Sequence, residues 1–396
     1  MVDDILAVTN CSPQSTQVNN VVNTFMELEK LKLSETKCHK LHIGGERRTC
    51  PDLKVHGRTL GESSVETYLG DKLHNSGKNQ TNLDSRLAKG HGKVRTIMAI
   101  IKDTPLGWWR IKAGLRLRNA MLINGMLFNS ESWHGITLKD IEKFEKIDDS
   151  LLRALTDSHS KIPIPALYMD LGVVPLRFIL AARRILYLHT ILTRDLSEIT
   201  KKIYLAQQQD PLEGDFYKLV MNDIEMIELK MNEDDISKVT KASLMKRVKV
   251  KYKEAAYKYL TTQKASKRKM DHMKYTHLET QPYMCSPIFL REDSSMLLRL
   301  RTRTVRGIRT DFGDMYIEKS CPLTGCTETY DSLPHVLVCS ALQTKQNEIQ
   351  DMHYMDVFSD NVHVQKSITA TFTRLLQRRE DLLESTPDAS TSGPMH

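Results

Sequence analysis

Between Thr81 and Leu196 the apolar residues recur every three to four positions, and no other feature constrains the fold as strongly. Leu115, Leu122, Met126 and Trp133 form one stripe; Leu138, Ile141, Phe144, Leu151 and Leu155 form another. That period belongs to the α-helix, and each stripe needs a partner to bury it, so the segment predicts an antiparallel helical bundle. Pro163, Pro165 and Pro175 punctuate a further pair of helices. Stripes of this kind build core rather than a cofactor box.

Upstream the period shortens. Asp3-Asp4 heads the apolar run Ile5 to Val8, which reads as a turn into a strand. Ser12-Pro13 reads as a helix cap with proline at the first helical position, and Val18, Val21, Val22, Phe25 and Leu28 give that helix one face to bury. Lys37 to Ile43 reads as a strand ended by Gly44-Gly45, and Leu53 to Val55 and Val65 to Leu69 as two more. Residues 1–75 therefore predict β-α-β followed by a hairpin, and the fold class is α+β. Glu384 to His396 is rich in Ser, Thr, Pro and Gly and predicts a disordered tail.

The formal charge of +8 is unevenly placed. Lys246 to Lys274 holds 11 Lys or Arg against Glu254 and Asp271, and Met296 to Arg309 holds five arginines and no acid. Six acids with Lys230 alone fill Asn222 to Ile236. Segregation of this kind suits a polyanion, although two solvated helix faces account for it equally well. Within the basic stretch, Leu244, Val248, Tyr252, Ala255 and Tyr259 run along one side of a helix. Lysines around Tyr252, Tyr257 and Tyr259 suit phosphate contact with base stacking, and a basic amphipathic helix also suits an anionic membrane surface. Trp108-Trp109 reads as core at a helix entry. Lys267-Arg268-Lys269 matches a nuclear signal, a triplet common by chance.

No apolar run reaches the ~20 residues of a membrane span; Phe178 to Leu192 is interrupted by Arg183 and Arg184. Acidic residues occupy the position where a signal peptide carries basic ones, and seven cysteines fit a reducing compartment, so an intracellular, unsecreted protein is expected.

Two constellations carry chemistry. Cys321-x4-Cys326-x8-His335-x3-Cys339 offers three thiols and an imidazole, the number and softness that tetrahedral zinc requires. Short spacing lets one turn, with Pro322 and Gly325, present the first pair and a helical turn the second. Cys38 and His42 lie ~13 Å apart on a strand, too far for one metal. Cys11, Cys50 and Cys285 read as structural. The second constellation is Asp3-Asp4: adjacent carboxylates crowd charge that divalent cations relieve, and a Mg²⁺ pair serves in-line phosphoryl transfer. Asp148-Asp149 and Asp234-Asp235 repeat the dipeptide, but on predicted exposed helix faces.

The order Val2-Asp3-Asp4-Ile5-Leu6, a helix, Lys37-Cys38-His39-Lys40 and Tyr68-Leu69-Gly70 resembles the palm of a non-LTR retrotransposon reverse transcriptase from its third catalytic box onward. Leu122 to Trp133 (LINGMLFNSESW) and Leu167 to Leu192 are similar to the family's thumb and connecting helices, and the likeness covers most of residues 1–340. It implies a truncated palm (1–78), a helical thumb (79–200), an acidic-then-basic connector (201–290), an Arg-rich segment with a CCHC zinc knuckle (291–345), and a C-terminal helix and tail (346–396).

The chemistry it implies is RNA-templated addition of deoxynucleotides to a DNA primer, in the nucleus or cytoplasm. Asp3 and Asp4 would hold Mg²⁺, and Lys37 would donate a proton or contact phosphate. Tyr68, Leu69 and Gly70 would grip the primer strand. Lys246, Arg247, Lys249, Lys251, Lys253, Arg299, Arg301 and Arg303 would contact nucleic acid, while Cys321, Cys326, His335 and Cys339 would bind structural zinc and position RNA or target DNA. Met1 stands where the family carries an aromatic or small residue, and the box with a further metal-binding Asp would precede it. Two carboxylates from one turn cannot hold two octahedral ions, so the chain is expected to be inactive alone. The alternatives are a non-catalytic, zinc-containing nucleic-acid-binding protein and a pseudogene product.

Overall fold

A computed structural model describes residues 6–9, 12–30, 34, 38–43, 52–55, 57–103, 107–265, 270, 272–305, 308, 320–328, 331–343 and 352–385. The fold is mixed α+β and mostly helical.

The N-terminal part is a helix, α1 (Ser12–Leu28), with six short strands: β1 (His39–Leu41), β2 (Lys54–Val55), β3 (Arg58–Thr59), β4 (Gly61–Ser63), β5 (Val65–Tyr68) and β6 (Asp71–His74). They pair two by two. β1 runs parallel to β4 with His39 opposite Gly61, while β2–β3 and β5–β6 are antiparallel hairpins. Two expectations change here. Leu6 to Thr9 carries no strand, because a strand needs a partner ladder and none is set against it among the described residues. α1 forms, but Val21, Phe25 and Leu28 stay exposed and Met26 alone is buried. Amides rather than apolar area hold this helix, since Asn19 and Asn23 both donate to the Lys54 carbonyl.

The β5–β6 hairpin closes over Leu69 and Gly70, with φ of +45° and +86°. Two left-handed residues make the tight turn whose twist matches paired strands. Leucine carries a Cβ into that region at a cost of ~1 kcal/mol or more. The hairpin is fixed to the helical body from below. Arg86 donates to the Gly70 carbonyl at 2.9 Å and to Asp71 Oδ1 at 2.6 Å, and Asn129 donates to Asp71 Oδ2 at 2.7 Å.

The bundle begins with α2 (Gln80–Ile101), α3 (Gly107–Leu117), a π-helical turn (Arg118–Ile123) and α4 (Asn124–Met126). α5 (Leu138–Thr156), α6 (Ile164–Leu171) and α7 (Leu176–Leu192) follow. Thr137 caps α5 by accepting from the Asp140 N–H, and Asp140 returns the bond. Leu122, Met126, Trp133, Phe144, Leu151 and Leu155 are buried as their stripes predict, but Leu138, in the first turn of α5, is 70% exposed. Next come α8 (Ile199–Gln209), α9 (Phe216–Met226), α10 (Glu233–Lys238), α11 (Lys241–Ala265), α12 (Pro282–Cys285), α13 (Arg291–Arg301), α14 (Leu333–Val338) and α15 (Val362–Ser385). Glu384 and Ser385, expected in the tail, close α15; residues 386–396 lie outside the described residues. One buried cluster runs from Leu83 to Leu376, across the positions 200, 290 and 345.

Two buried carboxylates of the bundle, Asp148 and Asp223, are paired with arginines. Asp148, expected on an exposed face, is fully buried and accepts two bonds from Arg118, which also donates to the Val174 carbonyl. Arg184, which breaks the apolar run of α7, is buried against Asp223. No single described helix is long and apolar enough to cross a membrane; α6 and α7 reach that length and composition only as a pair bent by 60°. Gly172 lies at φ +62°, and a Cβ there would fall 2.2 Å from the Thr280 nitrogen, so the α6–α7 turn can accept the returning 280 segment only as glycine.

Two outcomes follow from these buried groups. Arg118→Met should lower the unfolding free energy by about 3–5 kcal/mol in urea titration, because it strands a buried carboxylate; pairing it with Asp148→Leu should recover most of the loss. Burial, reinforced by the neighbouring Asp148 charge, pushes Asp149 up to about 6. Between pH ~4, where an unfolded aspartate titrates, and pH 6 the native state holds a proton the unfolded chain lacks, so stability falls as pH rises through that window. Asp149→Asn should flatten this slope; an unchanged slope would assign it to other groups.

Candidate metal centre and nucleic-acid interface

The metal-ligand residues come from two short elements. In the first, Cys321 N–H donates to the Glu328 carbonyl and Cys326 N–H to the Leu323 carbonyl, with Gly325 at φ +86° closing the turn. In the second, Ser332 caps α14 by accepting from the His335 N–H, and Cys339 stands at its C-terminal end in extended conformation. One donor atom from each of Cys321, Cys326, His335 and Cys339 lies within 4.8 Å of the others. The Cys321 and Cys339 sulfurs are 3.9 Å apart, and Cys326 Sγ is 3.5 Å from His335 Nε2. A tetrahedron with Zn–S bonds of ~2.3 Å and a Zn–N bond of ~2.0 Å has S–S edges of ~3.8 Å and S–N edges of ~3.5 Å. The Cys321–Cys339 and Cys326–His335 edges match such an ion, and all four donors lie close enough together to converge on one.

Main-chain hydrogen bonds offset part of the burial that disfavours thiolates here. The main chain at Leu323 hydrogen-bonds Cys321, that at Glu328 bonds Cys326, and those at Ala341 and Leu342 bond Cys339. Burial pushes the Cys321 thiol up to about 12 and Cys339 upward too; burial also acts upward on Cys326, but hydrogen bonds from the Glu328 main chain and from Cys339, Cys321 and Ser340 together bring it below its usual value. A cation replacing the protons would relieve that crowding. Nε2 of His335 faces the sulfurs, while its buried Nδ1 has no hydrogen-bond partner among the described residues. The cluster can therefore hold a metal such as zinc.

The basic helix α11 packs Leu244, Val248, Ala255, Ala256 and Leu260 inward against α6 and α7. Lys246, Arg247, Lys249 and Lys253 are exposed. Lys251 pairs with Glu254 and Lys258 with Glu228, so the acidic segment neutralises one end of the helix. The tyrosines are not open to bases: Tyr257 donates to the Tyr275 carbonyl, and Tyr259 packs edge-on to Phe178 beneath Arg177.

The arginine run is a correction. Arg301 is 4% exposed, donates to the Val357 carbonyl, and stacks between Tyr283 and Phe358. Arg299 is half-buried and donates to the Asp157 carbonyl, and half-buried Arg303 lies over Tyr354. α13 sits within the core, so these side chains serve packing and leave little guanidinium for phosphate.

A second cationic surface escaped the sequence reading. Residues 85–130 hold nine Lys or Arg and one acid, Asp103. Lys89, Lys93 and Arg95 are exposed on α2, Lys112 and Arg116 on α3, beside half-exposed Trp109. Lys89, Lys93, Arg95 and Arg116 face no acidic partner among the described residues. The signal was a shortage of acids rather than a run of bases. Tyr68, Leu69 and Gly70 occupy the β5–β6 turn; Asp3, Asp4 and Lys37 lie outside the described residues.

No protein-family model, curated protein or solved structure matches this chain.

Titration with zinc should saturate at one ion per chain by competition with a chromogenic chelator. Replacing His335 or Cys326 by Ala should weaken binding by at least ~10-fold, as losing one of four ligands requires.

Proposed function

We propose that this chain belongs to the non-LTR retrotransposon reverse transcriptase lineage and binds nucleic acid through the cations of α11 and of α2–α3, with structural zinc at Cys321, Cys326, His335 and Cys339. The observation that carries this is electrostatic. Eight exposed cations, Lys246, Arg247, Lys249 and Lys253 on one helix and Lys89, Lys93, Arg95 and Arg116 on the others, have no acidic partner among the described residues. Like charges held together without counter-ions in the fold are relieved by a polyanion, and releasing its condensed ions drives binding.

The two surfaces lie on different helices: α2 packs on α5 and α3, and α11 on α6 and α7. They would engage different stretches of a polynucleotide, which suits a template and a primer or target held together. The resemblance would make the β5–β6 hairpin, with Leu69 at φ +45°, the primer grip. In that reading Asp3 and Asp4 would be two of the carboxylates that hold Mg²⁺ in the complete family enzyme, and the chain alone, with only that pair, is expected to be inactive.

Binding and synthesis separate cleanly at the bench. The Lys246→Gln, Arg247→Gln, Lys249→Gln, Lys253→Gln variant should bind single-stranded RNA with a log Kd–log salt slope lower by about 3, at ~0.7 per lost phosphate contact. Matching substitutions at Lys89, Lys93, Arg95 and Arg116 should do the same. Slopes that both variants leave unchanged would sink the reading. Primer extension on an RNA template with Mg²⁺, abolished by Asp3→Asn, would add polymerase activity; RNA binding without extension would leave a binding protein.

A further inference from the structure

Nucleic-acid-binding zinc modules need cations at the surface, and from Ser320 to Gln343 there is no Lys or Arg. Of the two acids in that stretch, Asp331 is buried against Arg379 and Glu328 is exposed. The other outward residues are neutral or apolar, among them Pro322, Thr324, Pro334 and Val338. Within 320–343 phosphate therefore has no cationic side chain to pair with.

The inward residues meet the C-terminal helix. Ile368, Phe372, Leu375 and Leu376 make the buried stripe of α15, and Leu333, Val336, Leu337 and Leu342 are buried on the module side. α14 packs against α15 and against the 3₁₀ turn Tyr354–Phe358. One turn beyond Leu375 the stripe delivers Arg379, whose guanidinium donates to both oxygens of Asp331, Nη1 to Oδ1 at 2.7 Å. Both partners are buried, Asp331 lying four residues before His335. On its other side α15 packs on α13, where Lys366 pairs with Asp293.

We propose that the metal module is a protein-facing clasp whose partner is α15 of this same chain, and that it takes no part in nucleic-acid contact. So short a segment buries too little to hold its shape unaided, so its stability comes from the metal. The four ligands fix where Asp331 and the α14 leucines stand, and those positions fix α15. Metal occupancy is thereby coupled to docking of the C-terminal helix against α13.

The test is hydrogen exchange on the zinc-loaded full chain before and after EDTA in magnesium-free buffer. Metal removal should cut protection at least ~10-fold in α14 and over Ile368 to Arg379 of α15, leaving α5 and α7 unchanged. Arg379→Met, which keeps every ligand, should still bind one zinc and show the same loss in α15. RNA affinity at fixed salt should move less than about twofold with EDTA. Protection of α15 retained without metal, or retained in Arg379→Met, overturns the clasp. A tenfold loss of RNA affinity on metal removal overturns the exclusion of nucleic acid. The exchange measurements need no nucleic acid, so they stand even if RNA binding fails.

Discussion

Asp170, fully buried at the end of α6, accepts hydrogen bonds from the hydroxyls of Tyr275 and Tyr283 and faces the Arg301 guanidinium 3.6 Å away. Its main-chain carbonyl also accepts from the Gln281 N–H at 2.8 Å. Four segments distant in sequence meet at this carboxylate: the bundle through α6, the 272–285 return, α13, and, through the Arg301 bond to Val357, the turn that supports α15. A charge taken out of water is tolerable only when its partners satisfy it, and burial raises both tyrosines well above their usual range, keeping them as neutral donors. The arrangement is costly to half-make and so pins the C-terminal part onto the bundle in one geometry.

From that junction the functional surfaces follow. Turning Arg301 of α13 inward removes it from any ligand and leaves α11 and α2–α3 as cationic faces. Seating α15 on α13 gives the metal module a surface to close against. The candidate metal ligands therefore sit beside a protein interface, whereas the exposed lysines sit on helices whose opposite faces are buried in the bundle.

Some of this was legible in the residues. The Cys321, Cys326, His335 and Cys339 spacing gave the cluster because ligands within four or five positions need only local turns to converge, and the 8-residue separation needs only one loop. The stripes through Leu122, Phe144 and Leu151 gave the bundle for the same reason: helical period is local. The reading failed where burial depends on partners far away. Arg301 and Asp148 look like solvent-facing charges until Asp170 and Arg118 arrive beside them. Val21 and Phe25 look like core until α1 meets strands of two to four residues that cannot cover them.

The sequence by itself determined the helical content, the chelating spacing and the total of basic residues, because period, turn length and charge are properties of neighbours along the chain. Only the tertiary structure decided which cations face water, because each guanidinium is equally basic alone and its role depends on which carboxylate packing brings within ~4 Å. It turned Arg301 inward, left Lys249 and Lys93 outward, and set Arg379 on Asp331. No local pattern encodes those choices, since the carboxylates that pair Arg301 and Arg379 lie more than 45 residues away.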